Sequence, residues 1–248
     1  VTLPRVLTAG EAALSIEFGN AINPELNARA RALDRELAEN LFPGFVEAVP
    51  SYRSLLVLFD PLECAPAEVA THLLDLAVRT SELRLSPALP KKVPMVYDGE
   101  DLDGVAAHTG LSREDVVRLH SGSEVMVYML GFSPGFAYMG LLPEILHTPR
   151  QTTPRTRVLP GTVAVAGRQT GVYPSSTPSG WNLIGRTSIS LFDPGSDPPT
   201  FFLPGDRVRF VPVTELEDPS AGRDEPAESK GEPTFEVIKR RAPQTLVQ

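Results

Sequence analysis

The sequence predicts an α+β protein in two parts, a small N-terminal α+β unit followed by a barrel or sandwich of short strands. Three observations carry that prediction. Strand-like and helix-like patterns alternate over the first third of the chain. The whole chain holds 25 prolines and 19 glycines in 248 residues, too many breakers for a helix bundle. A cluster of breakers, Ser86-Pro87-Ala88-Leu89-Pro90, separates the two patterns.

In the first part, Ala13–Phe18 partly alternates apolar and polar residues, as a half-buried strand does. Asn23-Pro24 supplies an N-cap and a proline at the first helical position. From Pro24 to Asn40 the residues Leu26, Ala30, Leu33 and Leu37 recur at three- and four-residue spacing, which predicts an amphipathic helix. Strands are expected at Val46–Tyr52 and Ser54–Phe59, and a second helix from Pro66. The alternation is that of a ferredoxin-like half-sandwich. In the second part a strand is expected at Lys92–Tyr97 and a short helix near Leu102–Thr109. The capping-box spacing of Ser112-Arg113-Glu114-Asp115 opens a further helix to about His120. Val125–Leu130 is apolar enough for a buried strand. Short strands follow at Val163–Ala166, Gly171–Tyr173, Trp181–Ile184, Ser188–Phe192 and Arg207–Val211. The expected organisation is residues 1–89, residues 90–214, an acidic linker over 215–233 and a strand-bearing tail over 234–248. The linker holds seven acids and two bases, and almost nothing apolar.

Composition narrows the function classes. A net charge of −8 argues against a general nucleic-acid binder. The single cysteine, Cys64, excludes an internal disulfide framework, and the four histidines show no metal-ligand spacing. No run approaches the roughly 18 apolar residues of a membrane span, and Val1–Arg5 lacks a signal-peptide layout. The expectation is a cytoplasmic protein with no metal and no membrane or nucleic-acid partner.

Gly131-Phe132-Ser133-Pro134-Gly135 fits the G-x-S-x-G nucleophile elbow on paper. The residue after the serine is proline, which has no N–H for an oxyanion hole, so a tight turn positioning Phe132 and Phe136 is the better reading. The charge pattern is more informative. From Met126 to Phe192 there is one acid, Glu144, against five arginines (Arg150, Arg155, Arg157, Arg168 and Arg186) and no lysine. Arginine suits bidentate contact with carboxylate, so this stretch is expected to hold a small anion. His120 closes a helix beside the Gly131 loop. Gln169, Thr170 and Tyr173 lie in or beside the Gly-rich hairpin Gly167–Gly171, where a loop can approach a ligand closely. Trp181 is either a core plug or a pocket wall.

Gly131-Phe132-Ser133-Pro134-Gly135-Phe136-Ala137-Tyr138-Met139-Gly140 resembles the signature of one family. Thr148-Pro149-Arg150, Thr153-Pro154-Arg155, Val163–Gly167, Gln169–Pro174, Gly180-Trp181, Ile184–Thr187 and Leu203–Phe210 follow it in order. On these motifs the chain is similar to the KipI-like proteins, also called allophanate hydrolase subunit 1 and the B-type subunit of 5-oxoprolinase. The resemblance implies a cyclophilin-like β-barrel after the N-terminal domain, a partner subunit of related barrel fold and a third, lactam-opening subunit. It implies ATP as cofactor of the complex and a small carboxylate-bearing amide as substrate, 5-oxoproline first. It also leaves two alternatives, inhibition of a sensor histidine kinase and a carboxyltransferase role in a urea carboxylase-like system. Within the first reading, Arg155 and Arg168 are expected to hold the carboxylate, and His120 and Gln169 to act on the amide as the catalytic pair. Phe132, Phe136, Tyr138, Thr170, Tyr173 and Trp181 are expected to line the pocket. Two departures, Ser179 for a usual glycine and Leu159-Pro160-Gly161-Thr162 for the common P-A-G-S, put the substrate in question. Phe235–Lys239 and Thr245–Gln248 look like the start of the partner subunit.

Overall fold

A computed structural model describes residues 4–80 and 89–217. The expected linker from residue 218 onward, the 234–248 tail and most of the breaker cluster at 86–90 lie outside the described residues.

The N-terminal unit is a four-stranded antiparallel sheet with two helices on one face. Its elements are β1 (Arg5–Thr8), β2 (Ala13–Glu17), α1 (Pro24–Glu39), β3 (Phe45–Pro50), β4 (Ser54–Phe59) and α2 (Pro66–Arg79), and the strand order is β1-β2-β4-β3. Asn23 caps α1 as its sequence predicts, its Oδ1 accepting from the N–H of Glu25 at 2.7 Å. Leu33 and Leu37 of α1 and Leu73 and Leu76 of α2 bury against Leu14, Ile16, Leu55 and Val57 of the sheet. Alternate residues of β2 and β4 supply that face, and the other face stays half-buried.

The second unit is a nearly closed barrel. Its strands are β5 (Lys91–Met95), β6 (Glu124–Leu130), β7 (Ala137–Gly140), β9 (Thr162–Ala166), β10 (Gln169–Val172), β12 (Asn182–Arg186) and β13 (Arg207–Pro212). They run in the order β12-β9-β10-β7-β6-β13-β5. The edges meet at Val96 and Arg186, whose backbones exchange two hydrogen bonds of 2.9 Å. A Cβ on Gly185 would collide with the Val96 carbonyl, so glycine permits the closure. The helices α3 (Leu102–Thr109) and α4 (Arg113–Gly122) pack against β12 and β13, and β8 (Arg155–Val158) pairs with β11 (Thr177–Ser179) as a separate ribbon.

Strand alternation gives the barrel two distinct faces. Val125, Val127, Met139, Val163, Val165, Val172 and Val208 point into one core. Ala164 and Ala166, on the same strand as Val163 and Val165, point outward beneath Phe136, Tyr173 and Trp181. Ser188–Phe192, expected as a strand, is not one. Only Phe192 makes an isolated bridge, to Thr200. Four short strands, β1, β7, β8 and β11, carry no apolar run long enough to announce them.

The two units meet over this outer face. Asn27 of α1 is fully buried, and its Nδ2 donates to the carbonyls of Ser51 and Tyr128, each at 2.9 Å. Arg31 in turn donates to Asn27 Oδ1 at 3.0 Å. The Tyr52 ring stacks 5.6 Å from that of Tyr128 on β6. Among the described residues no helix is long and apolar enough to cross a membrane.

Candidate functional site

Strand parity decides which expected site residues can meet. On β10, Gln169 and Gly171 face outward while Thr170 and Val172 face the core. Thr170 Oγ1 lies 2.9 Å from His120 Nε2 and donates to the Ala164 carbonyl at 3.1 Å. His120 Nδ1 lies 2.7 Å from the Tyr97 hydroxyl, and its ring stacks on Phe210 at 4.7 Å. His120 is therefore enclosed on the inner side with both nitrogens occupied. Burial pushes its pKa down to about 3, so it is neutral at physiological pH. His120 and Gln169, expected to act together, sit on opposite faces of one strand.

The arginines divide in the same way. Arg155 donates to Asp101 at 2.6 Å and to Glu100 at 2.8 Å. Burial opposes its charge, but the hydrogen bonds and charges of these two acids outweigh it and raise the pKa. Arg168 pairs with Glu144 at 2.8 Å and donates to the Leu142 carbonyl at 2.9 Å. Arg186 pairs with Asp98 at 2.8 Å, and Arg157 donates to Ser176 at 3.0 Å. Three of the five guanidiniums are thus neutralised by local acids, and Arg155 and Arg168 are committed where the sequence led us to expect free carboxylate anchors. Arg150 alone of the five has neither an ion pair nor a hydrogen bond among the described residues. It is exposed, with its guanidinium 6.0 Å from the Trp181 ring centre.

The aromatic residues of the signature do converge. Phe136, buried at the entrance to β7, touches the rings of Tyr138 at 4.9 Å, Tyr173 at 5.1 Å and Trp181 at 5.8 Å. Trp181 is only 4% exposed, so it is a floor and not a wall. A Cβ on Gly171 would lie 3.0 Å from the Phe136 ring and 3.4 Å from that of Trp181. Glycine there lets the rings lie directly on the strand. Ser179 bonds the Tyr173 hydroxyl and accepts from the Trp181 N–H at 3.0 Å, which gives the departure at this position a packing role. Phe132 takes the left-handed conformation with φ 70° and remains exposed, 5.6 Å from Phe136. The turn it makes leads into β7 and not a helix, and the buried Ser133 Oγ has no hydrogen-bond partner. This is not the geometry of a nucleophile elbow.

Two residues of this face escape sequence reasoning. Tyr52 comes from the N-terminal unit. Its ring lies 6.1 Å from that of Tyr138, and its hydroxyl accepts from Gln169 Nε2. Arg150 stood in the sequence as one of five equivalent arginines, with nothing to single it out. The result is a buried aromatic floor with a half-buried rim of Tyr52, Tyr138 and Gln169, and one exposed guanidinium above it. Such a face can hold a small planar anion. Among the described residues no group of three or more His, Cys, Asp or Glu side chains is placed to hold a metal ion.

The chain matches the family model "Carboxyltransferase domain, subdomain C and D" over residues 4–202. It is 43% identical to the B-type subunit of 5-oxoprolinase from Escherichia coli O157:H7, over 85% of this chain and 97% of that protein. It is 38% identical to the corresponding 5-oxoprolinase subunit of Bacillus subtilis (strain 168), over 83% of this chain and 91% of that one. The crystal structure of TTHA0988 superposes with a TM-score of 0.75 at 39% identity, over 84% of this chain. The chain spans 41% of the TTHA0988 chain. With the ordered motifs, these matches establish that the chain belongs to the carboxyltransferase domain, subdomain C and D family, the KipI-like group.

Proposed function

We propose that this chain is one subunit of an ATP-dependent amidohydrolase complex acting on a small carboxylate-bearing amide, with 5-oxoproline the first choice. The observation that carries the reading is the 43% identity to a B-type 5-oxoprolinase subunit along 97% of that protein. The aromatic and polar outer face of the barrel supports it, because a floor of rings with a few directed polar groups suits a small planar amide. In this reading Gln169 orients the amide, Phe136, Tyr138, Tyr173 and Trp181 shape the floor, and His120 and Thr170 support β10 from its inner side. No described serine, cysteine or histidine on the outer face forms a nucleophile–base pair, so turnover requires the other subunits. Those are a second barrel subunit and a lactam-opening subunit, with ATP used at the level of the complex.

The architecture fits the same proposal. The described part of residues 1–89 is a ferredoxin-like domain in which β1 takes the outer position of the sheet beside β2. Residues 90–214 form a cyclophilin-like barrel.

Reconstitution tests the reading. The chain mixed with its partner subunits should hydrolyse ATP only when 5-oxoproline is present, and the isolated chain should not. Turnover by the isolated chain at the rate of the complex would refute it. The family description favours one other reading, carboxyl transfer. That reading requires the complex to depend on bicarbonate or a biotinylated subunit, which the same assay detects by omission.

A further inference from the structure

We infer that the outer face of β7 and β10 binds a carboxylate-bearing cis-amide, with Arg150 anchoring the carboxylate and the Tyr52–Gln169 pair reading the amide edge. The inference deepens the amidohydrolase reading and rests on it only for the choice of first probe.

Arg150 has the properties that Arg155 and Arg168 lack. It is exposed and has no acid or hydrogen-bond partner among the described residues, so its guanidinium fork is available. Its position is fixed from both sides. The Pro149 carbonyl accepts from Asn182 Nδ2 at 2.8 Å, and the Gln151 N–H donates to the Gly180 carbonyl at 2.7 Å. Gln151 Nε2 also donates to Asn182 Oδ1 at 2.8 Å. A backbone held in this way reduces the ordering cost of binding.

The anchor and the amide reader share one space. The Arg150 guanidinium lies 6.0 Å from the Trp181 ring centre, the Trp181 ring lies 6.0 Å from that of Tyr138, and the Tyr138 ring lies 6.1 Å from that of Tyr52. Burial raises the pKa of Tyr52, Tyr138 and Tyr173, and the Arg150 charge acts on all three hydroxyls in the opposite sense. The pair at the other end has a defined hydrogen-bonding polarity. Gln169 Nε2 donates to the Tyr52 hydroxyl, which leaves the Tyr52 hydrogen free to donate and Gln169 Oε1 free to accept. A cis-amide presents its C=O and N–H side by side on one edge, whereas a trans-amide presents them on opposite edges. An adjacent donor and acceptor therefore select a lactam over a linear amide.

Trp181 is the only tryptophan of the chain and lies under Arg150, so its fluorescence reports on this face alone. We would titrate the chain with 5-oxoproline, with N-acetylglycine as the linear counterpart and with 2-pyrrolidinone as the lactam without a carboxylate. The expected result is a saturable change with 5-oxoproline, at least about tenfold weaker binding of each of the other two, and a similar loss in Arg150→Gln. Arg150→Lys should recover part of that loss, and Arg157→Gln on the neighbouring ribbon should bind as wild type. Among the described residues Arg150 makes no hydrogen bond or ion pair, and only its contact over Trp181 is lost, so the variant remains testable. Unchanged binding in Arg150→Gln overturns the anchor. N-acetylglycine binding as tightly as 5-oxoproline overturns the cis-amide selection. Absence of any carboxylate response, in the chain and in the reconstituted complex alike, overturns the whole inference. ATP hydrolysis by the complex separates this from the wider reading. Activity that survives Arg150→Gln sinks the anchor and leaves the amidohydrolase standing. Arg150-dependent binding of 5-oxoproline without any activity does the reverse.

Discussion

Replacing Arg155 by glutamine should cost stability and leave substrate affinity nearly untouched. Arg155 bridges two acids of the segment between β5 and α3, and the two bridges differ in value. Glu100 is 63% exposed, so its pair is screened by water and contributes about 0–1 kcal/mol. Asp101 is 12% exposed, and its 2.6 Å contact is a charge-assisted hydrogen bond worth about 1.5–3 kcal/mol. Asp101 is not stranded by the substitution, because its Oδ2 still accepts from the Leu183 N–H at 2.7 Å. That retained bond keeps the loss below the level expected for an orphaned buried charge. We therefore expect a loss of about 2–3 kcal/mol, or a fall in Tm of roughly 5–10 °C for a chain of this size. A double-mutant cycle with Asp101→Asn should return a coupling of about 1–2 kcal/mol from chemical denaturation. In the reconstituted complex, KM for 5-oxoproline should change by less than about twofold, since no transition-state or ground-state contact is removed. A coupling under about 0.5 kcal/mol together with a tenfold rise in KM would show that Arg155 holds the substrate and that its ion pairs are incidental.

Three further outcomes are expected. The pKa of His120, pushed down to about 3 by burial, means that acid protonates the unfolded chain first. Stability is then lost between about pH 6.5 and 3 at up to about 1.4 kcal/mol per pH unit, and urea midpoints of His120→Gln should show a flatter slope there; equal slopes would refute the assignment. Gly171→Ala would press a methyl group onto the Phe136 and Trp181 rings, costing about 1–3 kcal/mol and shifting the Trp181 emission; an unchanged spectrum and midpoint would show that the rings have room. Tyr52→Phe removes the acceptor for Gln169 Nε2, so KM of the complex should rise about three- to tenfold with a stability change within about 1 kcal/mol, and an unchanged KM would remove Tyr52 from the site.

The helices and most long strands were legible because each depends on a local pattern. Asn23-Pro24 and Ser112 mark their helix starts, and the caps form as expected. Ser188–Phe192 had the composition of a strand but makes only an isolated bridge from Phe192 to Thr200, and the barrel edges meet at Val96 and Arg186 without it. The aromatic residues of the signature were legible as a group, and the fold does gather Phe136, Tyr138, Tyr173 and Trp181. Their partition was not. Gln169 and Thr170 are adjacent in sequence and equally polar, and only the pairing of β10 with β7 and β9 sends them to opposite faces. The arginine count pointed to an anion site, but the acids that neutralise two of the five, Asp98 at Arg186 and Glu100 with Asp101 at Arg155, precede the counted stretch. Charge balance within a window cannot see an ion pair made across 54 residues, as between Asp101 and Arg155.

The same long-range packing explains why the N-terminal unit belongs to the site and is not merely attached to it. Asn27 is fully buried and satisfies two carbonyls, one from each unit, so undocking would strand the Tyr128 carbonyl and one N–H of the Asn27 amide. Tyr52 follows Ser51, whose carbonyl is one of those two acceptors, so the Asn27 amide that docks the units through Tyr128 also fixes the neighbour of Tyr52. The Tyr52 hydroxyl then holds Gln169, on the strand whose far side presents Thr170 to His120 of α4. A barrel without the N-terminal unit would keep Arg150 over Trp181 and lose the polar pair that reads an amide. Such a barrel would bind carboxylates without discriminating among them. On the inferred cis-amide site, the docked arrangement would supply the discrimination, at the seam between the two units.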